Sequence, residues 1–140
     1  MSYHGKYKVV NPQKYSGVDV NNIKYKSLLE RRFMKFLDLS GNVQNWCYEG
    51  IIVPYVCGTD NKLHRYFPDF LVLFTDGRRV LVEIKPQSEC SAPKKRKRKT
   101  RRYLTECFTY CKNMSKWAAA EHFCKKRGWE FKIVTDAQLK

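Results

Sequence analysis

Two short apolar segments separated by a turn constrain the fold of this 140-residue chain more than any other part of its sequence. Phe70–Phe74 and Val80–Ile84 are rich in β-branched and aromatic residues, which favour strands. Thr75-Asp76-Gly77 lies between them and is typical of a hairpin loop. Pro86 ends the second segment, because proline has no N–H to donate to a neighbouring strand. The sequence therefore predicts an antiparallel hairpin at the middle of the chain.

The length of the hairpin loop decides which residues face each other across the two strands. If Asp76-Gly77 formed a two-residue turn, Asp69 would lie opposite Ile84 and point away from Glu83. A three-residue loop, with its glycine in the left-handed conformation, would place Asp69 directly opposite Glu83. Lys85 would follow one same-face step further along the strand, since alternate residues of a strand share a face.

An acidic and a basic residue on one face of an otherwise apolar strand are hard to explain by packing. A salt bridge between Glu83 and Lys85 on a half-exposed face is the ordinary explanation. Buried charges, however, persist only when they are paired or bind a metal ion. Opposed carboxylates with Cβ atoms ~5 Å apart would repel each other unless a cation lay between them. Asp69 and Glu83 would then suit Mg²⁺ or Mn²⁺, with Lys85 positioning or polarising the attacking water.

Glu30 is a further candidate ligand near the start of a predicted helix. It stands three residues after Ser27, where it could complete a capping box. A carboxylate early on a helix that packs beside the sheet could also add a metal ligand. The helix would end at Ser40-Gly41-Asn42, and its apolar residues have helical spacing: Leu29, Phe33, Phe36 and Leu37.

Other segments predict further strands and a polar N-terminal arm. Residues 43–48 and 51–56 are β-rich, and a turn follows at 58–61. Residues 1–22 are polar and contain the breakers Asn11-Pro12 and Ser16-Gly17, so we expect an extended arm there.

The C-terminal part predicts a basic loop, a helical region and a last strand. Residues 87–102 would form the loop, because their composition is dominated by Ser, Pro and basic residues. A helical pattern resumes near Arg102, with a break around Asn113, and Gly128 fits its C-terminal cap. A strand over 129–134 would complete an α/β domain spanning 23–140.

The charge balance indicates an anionic partner. Lys and Arg number 28 against 13 Asp and Glu, which gives a net charge of +15. Nucleic acid is the simplest such partner. Residues 94–102 contain eight basic side chains in nine positions and could clamp a phosphate backbone, although a solvated loop or a nuclear-localisation-type patch has the same composition. The candidate DNA contacts are Lys94, Lys95, Arg96, Lys97, Arg98, Lys99, Arg101, Arg102, His64, Arg65 and Lys116.

Two of these candidates, and one nearby carboxylate, have an alternative interpretation. His64 could contact the scissile phosphate or serve as a supporting hydrogen-bond partner, which is the commoner role. Lys116 could contact DNA, whereas its neighbour Trp117 is expected in the core. Glu49 could approach a metal ion, but an exposed carboxylate at a strand end explains it more simply.

The cysteine pattern and hydropathy exclude several classes of protein. Six cysteines without a secretory signal are expected to be reduced thiols. Cys107, Cys111 and Cys124 near His122 could ligate zinc, but they lack a CxxC pair, and we set this site aside. No apolar segment approaches ~18 residues, so we expect no membrane-spanning helix and no membrane partner. The N-terminus has no apolar core of a signal peptide, so export by the usual route is not expected.

The central charged residues resemble the motif of a nuclease superfamily. Pro68-Asp69 followed by Glu83-x-Lys85 is similar to the PD-(D/E)xK motif of restriction-endonuclease-like nucleases, and Glu30 matches the acidic residue commonly placed before it. Fragments at 27–30, 67–70, 83–86, 118–120 and 128–135 also resemble the endonuclease subunit that cuts transposon ends, although that family often has Gln where this chain has Glu83. The resemblance implies a mixed central sheet flanked by helices, with Glu30, Asp69, Glu83 and Lys85 as catalytic residues. It also implies Mg²⁺, with Mn²⁺ as a substitute, held by Asp69, Glu83 and Glu30.

A resemblance to the head completion nucleases of T4-like tailed phages extends over nearly the whole chain. It includes Gly5–Lys8, Asn11–Tyr15, His64–Phe70 and Trp129–Lys132. It implies a metal-dependent deoxyribonuclease that acts on double-stranded DNA after packaging and before tails join the heads. Phage head, portal or neck proteins would be partners, and no small-molecule cofactor is expected. The expected location is the host cytoplasm during assembly, and retention in the virion stays open.

Two other functions compete with a nuclease. A non-enzymatic basic protein that holds DNA at the portal or neck would explain the net charge, but not the acidic residues within the apolar centre of the chain. An RNA-binding module would need aromatic or GxxG signatures that this sequence lacks.

Overall fold

The computed structural model describes residues 3–139 of the chain. It contains the strands and helices β1 (Gly5–Tyr7), β2 (Ile23–Tyr25), α1 (Leu28–Leu39), β3 (Val43–Tyr48), β4 (Val53–Val56), β5 (Leu63–Tyr66), β6 (Phe70–Phe74), β7 (Arg79–Ile84), α2 (Arg101–Arg127) and β8 (Glu130–Val134). Short 3-10 turns lie at Pro12–Lys14 and Gln87–Glu89. None of the helices within 3–139 has the length and apolar character needed to cross a membrane.

A four-stranded mixed sheet forms the centre of the molecule. Its strand order is β3-β6-β7-β8, in which β8 runs parallel to β7 and the other neighbours are antiparallel. β1 pairs with β2, and β4 pairs with β5, in two small antiparallel ribbons. The prediction of an α/β fold with a mixed central sheet is therefore confirmed.

The two faces of the sheet are covered by different helices because side chains alternate along each strand. Val80, Val82 and Ile84 of β7 pack in one core cluster with residues of α1, including Phe33 and Leu37. Leu81 points the other way and packs in a second cluster with residues of α2 and of the β4–β5 ribbon. Glu83 follows Leu81 by two residues and shares its face, so it lies on the side of α2.

The hairpin has the register in which the two predicted carboxylates face each other. Phe70 pairs with Val82 and Leu73 with Arg79, so Asp69 lies opposite Glu83. The loop contains three residues, and Gly77 has the left-handed φ of +93°. A side chain with a Cβ would be strained at this φ, which explains the glycine. The structure thus confirms the three-residue loop.

Three local predictions were wrong. α2 is continuous through Asn113, whose side chain is buried on the same stripe as Trp117 and Ala120. Burial of this stripe outweighs the weak helix propensity of asparagine.

Phe36 was placed on the apolar face of α1 but is 47% exposed, since Phe33 and Leu37 occupy the buried stripe. The strand β5 was missed, because its segment Leu63–Tyr66 contains two polar residues.

The N-terminal segment predicted as an extended arm is fastened to the domain by Asp38. This carboxylate is fully buried at the end of α1 and accepts hydrogen bonds from Tyr7 Oη at 2.7 Å, Val10 N at 2.8 Å and Asn11 N at 2.9 Å. Tyr15 also packs edge-on against Trp46, with ring centroids 4.7 Å apart. The division of the chain at residue 22 stays a prediction, and Met1 and Ser2 lie outside the described residues.

Candidate active site

Asp69 and Glu83 lie opposite each other at the open end of the β6–β7 hairpin, away from its loop. Asp69 comes directly before β6, after the fully buried Pro68. Its Oδ2 accepts a hydrogen bond of 2.7 Å from the backbone N–H of Ile84, and this bond ties the Asp69 side chain to β7. Glu83 Oε1 accepts a hydrogen bond of 2.7 Å from the Tyr66 hydroxyl. Both carboxyl groups are held in place by neighbouring strands and are only half-buried.

Burial acts on both carboxyl groups, and repulsion by neighbouring negative charges adds to it at Asp69. Burial raises the pKa of Asp69 well above its usual value, and the negative charges of Glu83 and Glu30 raise it further. Burial also raises the pKa of Glu83, while its hydrogen bond from Tyr66 and the nearby Lys85 and Lys116 oppose that rise. Acidic groups with raised pKa values next to each other are typical of sites that bind a cation or share a proton.

Glu30 is held at the start of α1 by hydrogen bonds, and its role as a metal ligand stays a prediction. Its backbone N–H donates to Ser27 Oγ at 3.1 Å, so Ser27 caps α1. Its Oε1 accepts from the backbone N–H of Lys26 at 2.7 Å and from the Tyr48 hydroxyl at 2.9 Å. The negative charge of Glu30 also contributes to the raised pKa of Asp69, so the two carboxyl groups are electrostatic neighbours. We call Glu30, Asp69 and Glu83 the carboxylate cluster.

Two lysines bring positive charge to the carboxylate cluster. Lys85 shares the face of Glu83, and its backbone is fixed by a hydrogen bond of 3.0 Å from Lys85 N to Val134 O. Lys116, which the sequence suggested only as a DNA contact, reaches the cluster from α2. Its Nζ lies 5.4 Å from the centre of the Tyr66 ring. Burial lowers the pKa of Lys116, as do the positive charges of Lys112 and Lys85, whereas Glu83 opposes this shift.

Sequence reasoning missed the two tyrosines that hold the acidic side chains. Tyr48 is on β3 and donates to Glu30, and Tyr66 is on β5 and donates to Glu83. Burial raises the pKa of both hydroxyl groups, so they remain donors at neutral pH. Sequence alone gave no signal for either contact, because each joins residues of different secondary-structure elements.

Glu49 lies beside the carboxylate cluster without joining it. It has the left-handed φ of +51°, and its backbone N–H donates to Asp69 O at 2.8 Å. Its side chain forms an ion pair of 3.1 Å with Lys26. The ion pair agrees with the simpler interpretation of Glu49 as a carboxylate at a strand end.

The predicted DNA contacts fall into two groups in space. The basic run 94–102 is exposed and leads into α2, whose first residues are Arg101 and Arg102. These two arginines therefore lie in the helix and not in the loop predicted at 87–102. His64 and Arg65 lie on β5, where His64 Nε2 is 2.8 Å from Asp60 Oδ2 and Arg65 is exposed.

The positive charge at the start of α2 is unfavourable for the free protein. The first turn contains no acidic residue, although the N-terminus of a helix carries a partial positive charge. Thr100 caps the helix by accepting a hydrogen bond of 3.2 Å from Tyr103 N. A phosphate group would compensate both the basic side chains and the helix dipole here.

Known proteins resemble this chain in sequence over both the site and the whole length. Residues 40–136 match a family model described as TnsA-like endonuclease N terminal. Asp69, Glu83, Lys85 and Lys116 fall within the matched region, and Glu30 lies before it. The chain is also 35% identical over 144 aligned positions to the head completion nuclease of Enterobacteria phage T4, and the alignment covers 100% of this chain and 95% of that protein.

Proposed function

Because the chain belongs to the TnsA-like endonuclease N-terminal family, we propose that it is a Mg²⁺-dependent DNA nuclease that hydrolyses phosphodiester bonds. The observation that carries this proposal is the carboxylate cluster beside the open end of the hairpin, with two lysines next to it. The resemblance to a phage nuclease over the full chain supports the same activity.

The donor set of the cluster fits a hard divalent cation. Carboxylate oxygens are the ligands that Mg²⁺ and Mn²⁺ prefer. Asp69 and Glu83 would hold the ion and Glu30 would assist, because the repulsion that raises the pKa of Asp69 would be relieved by a cation. When bound, the ion would supply Lewis-acid polarisation of the phosphate and lower the pKa of a water molecule.

The lysines and tyrosines of the site have separate roles in this proposal. Lys85 orients the attacking water and stabilises negative charge that develops on the phosphate, since its ammonium group lies on the face of Glu83. Lys116 adds a second positive charge from α2. Tyr66 and Tyr48 fix the rotamers of Glu83 and Glu30 by hydrogen bonds of 2.7 and 2.9 Å. Fixed ligands reduce the reorganisation needed when substrate binds.

The basic run 94–102 would bind the phosphate backbone of double-stranded DNA. It is exposed, follows β7 in the chain and carries eight positive charges. Contacts of this kind position DNA without recognising its sequence. His64, Arg65 and Lys116 stay proposed DNA contacts from the β5 and α2 side of the site.

The name of the T4 relative supports a role for this chain in phage assembly. The name of the phage T4 protein describes a nuclease in head completion. We propose that this chain acts in the same stage, after DNA packaging and before tails join, with head, portal or neck proteins as partners. It would act in the host cytoplasm, and retention in the virion is compatible with that role.

A non-enzymatic DNA-binding protein of the neck is the alternative function. The net charge of +15 favours it as much as it favours a nuclease. The carboxylate cluster argues against it, because partly buried acidic groups at this end of the hairpin would weaken DNA binding.

The deciding experiment incubates the purified chain with supercoiled and linear DNA in Mg²⁺, Mn²⁺, Ca²⁺ or EDTA. We expect cleavage in Mg²⁺ and Mn²⁺, little in Ca²⁺ and none in EDTA. Gel-shift measurements in EDTA should still show DNA binding. Binding without cleavage in every metal would support the non-enzymatic alternative.

A further inference from the structure

The ribbon of β4 and β5 brings together three different metal-binding side chains outside the carboxylate cluster. Cys57 directly follows β4, Asp60 lies in the turn, and His64 is on β5. Their Sγ, carboxylate oxygen and imidazole nitrogen all lie within 4.8 Å of one another. We propose that Cys57, Asp60 and His64 form a zinc site, which we call the ribbon site. This proposal does not depend on the nuclease function, but it assigns His64 to zinc in place of a DNA contact.

The pairing of the ribbon explains how these residues meet. Tyr55 pairs with His64 and Val56 with Leu63, so Cys57 and His64 are diagonal neighbours on one face. The turn is closed by hydrogen bonds from Cys57 N to Lys62 O at 3.0 Å and from Asn61 N to Cys57 O at 2.8 Å. Asn61 has the left-handed φ of +56°, which folds the turn back and places Asp60 beside His64. The backbone therefore brings the three residues together before any ion binds.

The chemistry of the three donors favours zinc over magnesium. Zinc accepts cysteine sulfur, histidine nitrogen and aspartate oxygen at about 2.0–2.3 Å, whereas Mg²⁺ prefers oxygen ligands. His64 Nε2 already lies 2.8 Å from Asp60 Oδ2. Cys57 is 2% exposed, and its Sγ lies 3.0 Å from Thr59 Oγ1. His64 and Asp60 are more accessible, with 37% and 38% of their side chains exposed, so an ion could enter from that side.

The ribbon site adjoins α2, so an ion that fixes the turn would also fix the part of the ribbon that contacts α2. The backbone N–H of Gly58 donates to Ser115 Oγ of α2 at 3.1 Å. Cys111 Sγ of α2 is 3.4 Å from the position that a Cβ on Gly58 would occupy, which places a further thiol beside the turn. The same two elements carry Tyr66 and Lys116 to the carboxylate cluster. Zinc would therefore have a structural role.

The spacing of the ligands also explains why the sequence did not reveal them. The pattern Cys-x2-Asp-x3-His lacks a second cysteine pair, which is the familiar feature of structural zinc sites. The zinc site considered from the sequence was instead Cys107, Cys111 and Cys124 with His122. All four lie on α2, where Cys124 is buried and His122 is exposed.

The test titrates Co²⁺ and Zn²⁺ into the reduced, metal-free full chain. Cobalt bound to a thiolate gives a charge-transfer absorption that carboxylate ligands do not give. We expect one equivalent of Co²⁺ to produce this band and one equivalent of Zn²⁺ to remove it. Cys57→Ser should abolish the band, and Cys107→Ser, on α2, is the matched control that should retain it.

Cys57 is buried, so substitution there can also disturb folding, and two more accessible positions complete the test. Asp60→Asn and His64→Gln should each lower zinc affinity at least about tenfold while the circular dichroism spectrum is preserved. Zinc should raise the Tm of the wild type and of Asp69→Asn, but not of His64→Gln. Absence of the cobalt band in the wild type, or unchanged zinc affinity in both ribbon variants, would overturn the ribbon site.

Discussion

The carboxylate cluster and the basic run 94–102 are two charged regions of this molecule that differ in burial. The cluster is enclosed by strands and helices, whereas the run is exposed to solvent. Glu30 is 7% exposed, and Asp69 and Glu83 are half-buried between strands that fix their positions. The basic side chains of the run are exposed, and residues 94–99 belong to no helix or strand. Glu83 and Glu30 strongly affect Asp69 because little water screens their charges, whereas the run needs many charges because water and salt screen each one.

This contrast predicts a division between chemistry and binding. Removing one group from the carboxylate cluster should eliminate a specific step, because each group has fixed partners. Removing one group from the basic run should change little, and only the total charge should matter.

Asp69→Asn should cause the largest loss. The change is nearly isosteric, but it removes a charged ligand, so we expect Mg²⁺-dependent cleavage to fall at least about 10³-fold. DNA affinity measured in EDTA should stay within about twofold. Asp76→Asn is the matched control, because Asp76 is an exposed carboxylate in the same hairpin. Undiminished cleavage by Asp69→Asn would eliminate the proposed metal site.

Lys85→Ala should reduce the cleavage rate about 10²–10³-fold, because a positioned positive charge near a reacting phosphate has an effect of this size. Single-turnover measurements at saturating DNA isolate the chemical step. Lys132→Ala is the control, since Lys132 is an exposed lysine on the neighbouring strand β8. The rate of Lys116→Ala compares the two lysines directly, and a normal rate for Lys85→Ala would contradict its assigned role.

Neutralising Lys94, Lys95, Lys97 and Lys99 should weaken DNA binding roughly 10²-fold and lower the slope of log K against log salt by roughly 3–4. The loss should be similar for unrelated DNA sequences, since phosphate contacts carry no base information. Cleavage at saturating DNA and low salt should continue. The control neutralises four exposed lysines elsewhere, Lys35, Lys125, Lys126 and Lys132, which changes the net charge equally. Equal salt slopes for the two variants would reject the basic run as a phosphate clamp.

The smallest predicted effect concerns the stability of the metal-free protein. The pKa of Asp69 is raised in the folded state by burial and by Glu83 and Glu30. Its contribution to stability is therefore complete below its unfolded pKa and is lost as pH rises through the folded pKa. Asp69→Asn should raise the Tm in EDTA by about 3–5 °C at neutral pH, with little change near pH 4. Thermal unfolding at several pH values measures this difference.

The control for this last prediction is again Asp76→Asn. The backbone N–H and then the side chain of Arg78 lower the pKa of Asp76, which is the opposite direction. Its substitution should therefore not raise the Tm at neutral pH. If Asp69→Asn destabilises the metal-free protein at neutral pH, Asp69 and its acidic neighbours do not repel each other as inferred.

The part of the site that lies within one hairpin could be predicted from sequence. Thr75-Asp76-Gly77 indicated the hairpin and limited its register to two alternatives, of which the three-residue loop places Asp69 opposite Glu83. Each step depends on residues close together in the chain. Ser27 likewise marked the start of α1, because a cap is formed with residues of the next turn.

The tertiary structure decided which side chains complete the site. Tyr48, Tyr66 and Lys116 come from three other elements, and only the packing of the sheet and α2 brings them to the carboxylates. The ribbon site is different, since its ligands lie within eight residues, but it required β5, which the sequence analysis missed. Asn113 was mispredicted for a similar reason, because burial of its stripe of α2 determined the helix there and its local propensity did not. Local hydrogen bonding determined the hairpin and the cap, whereas long-range burial determined the remaining contacts of the site.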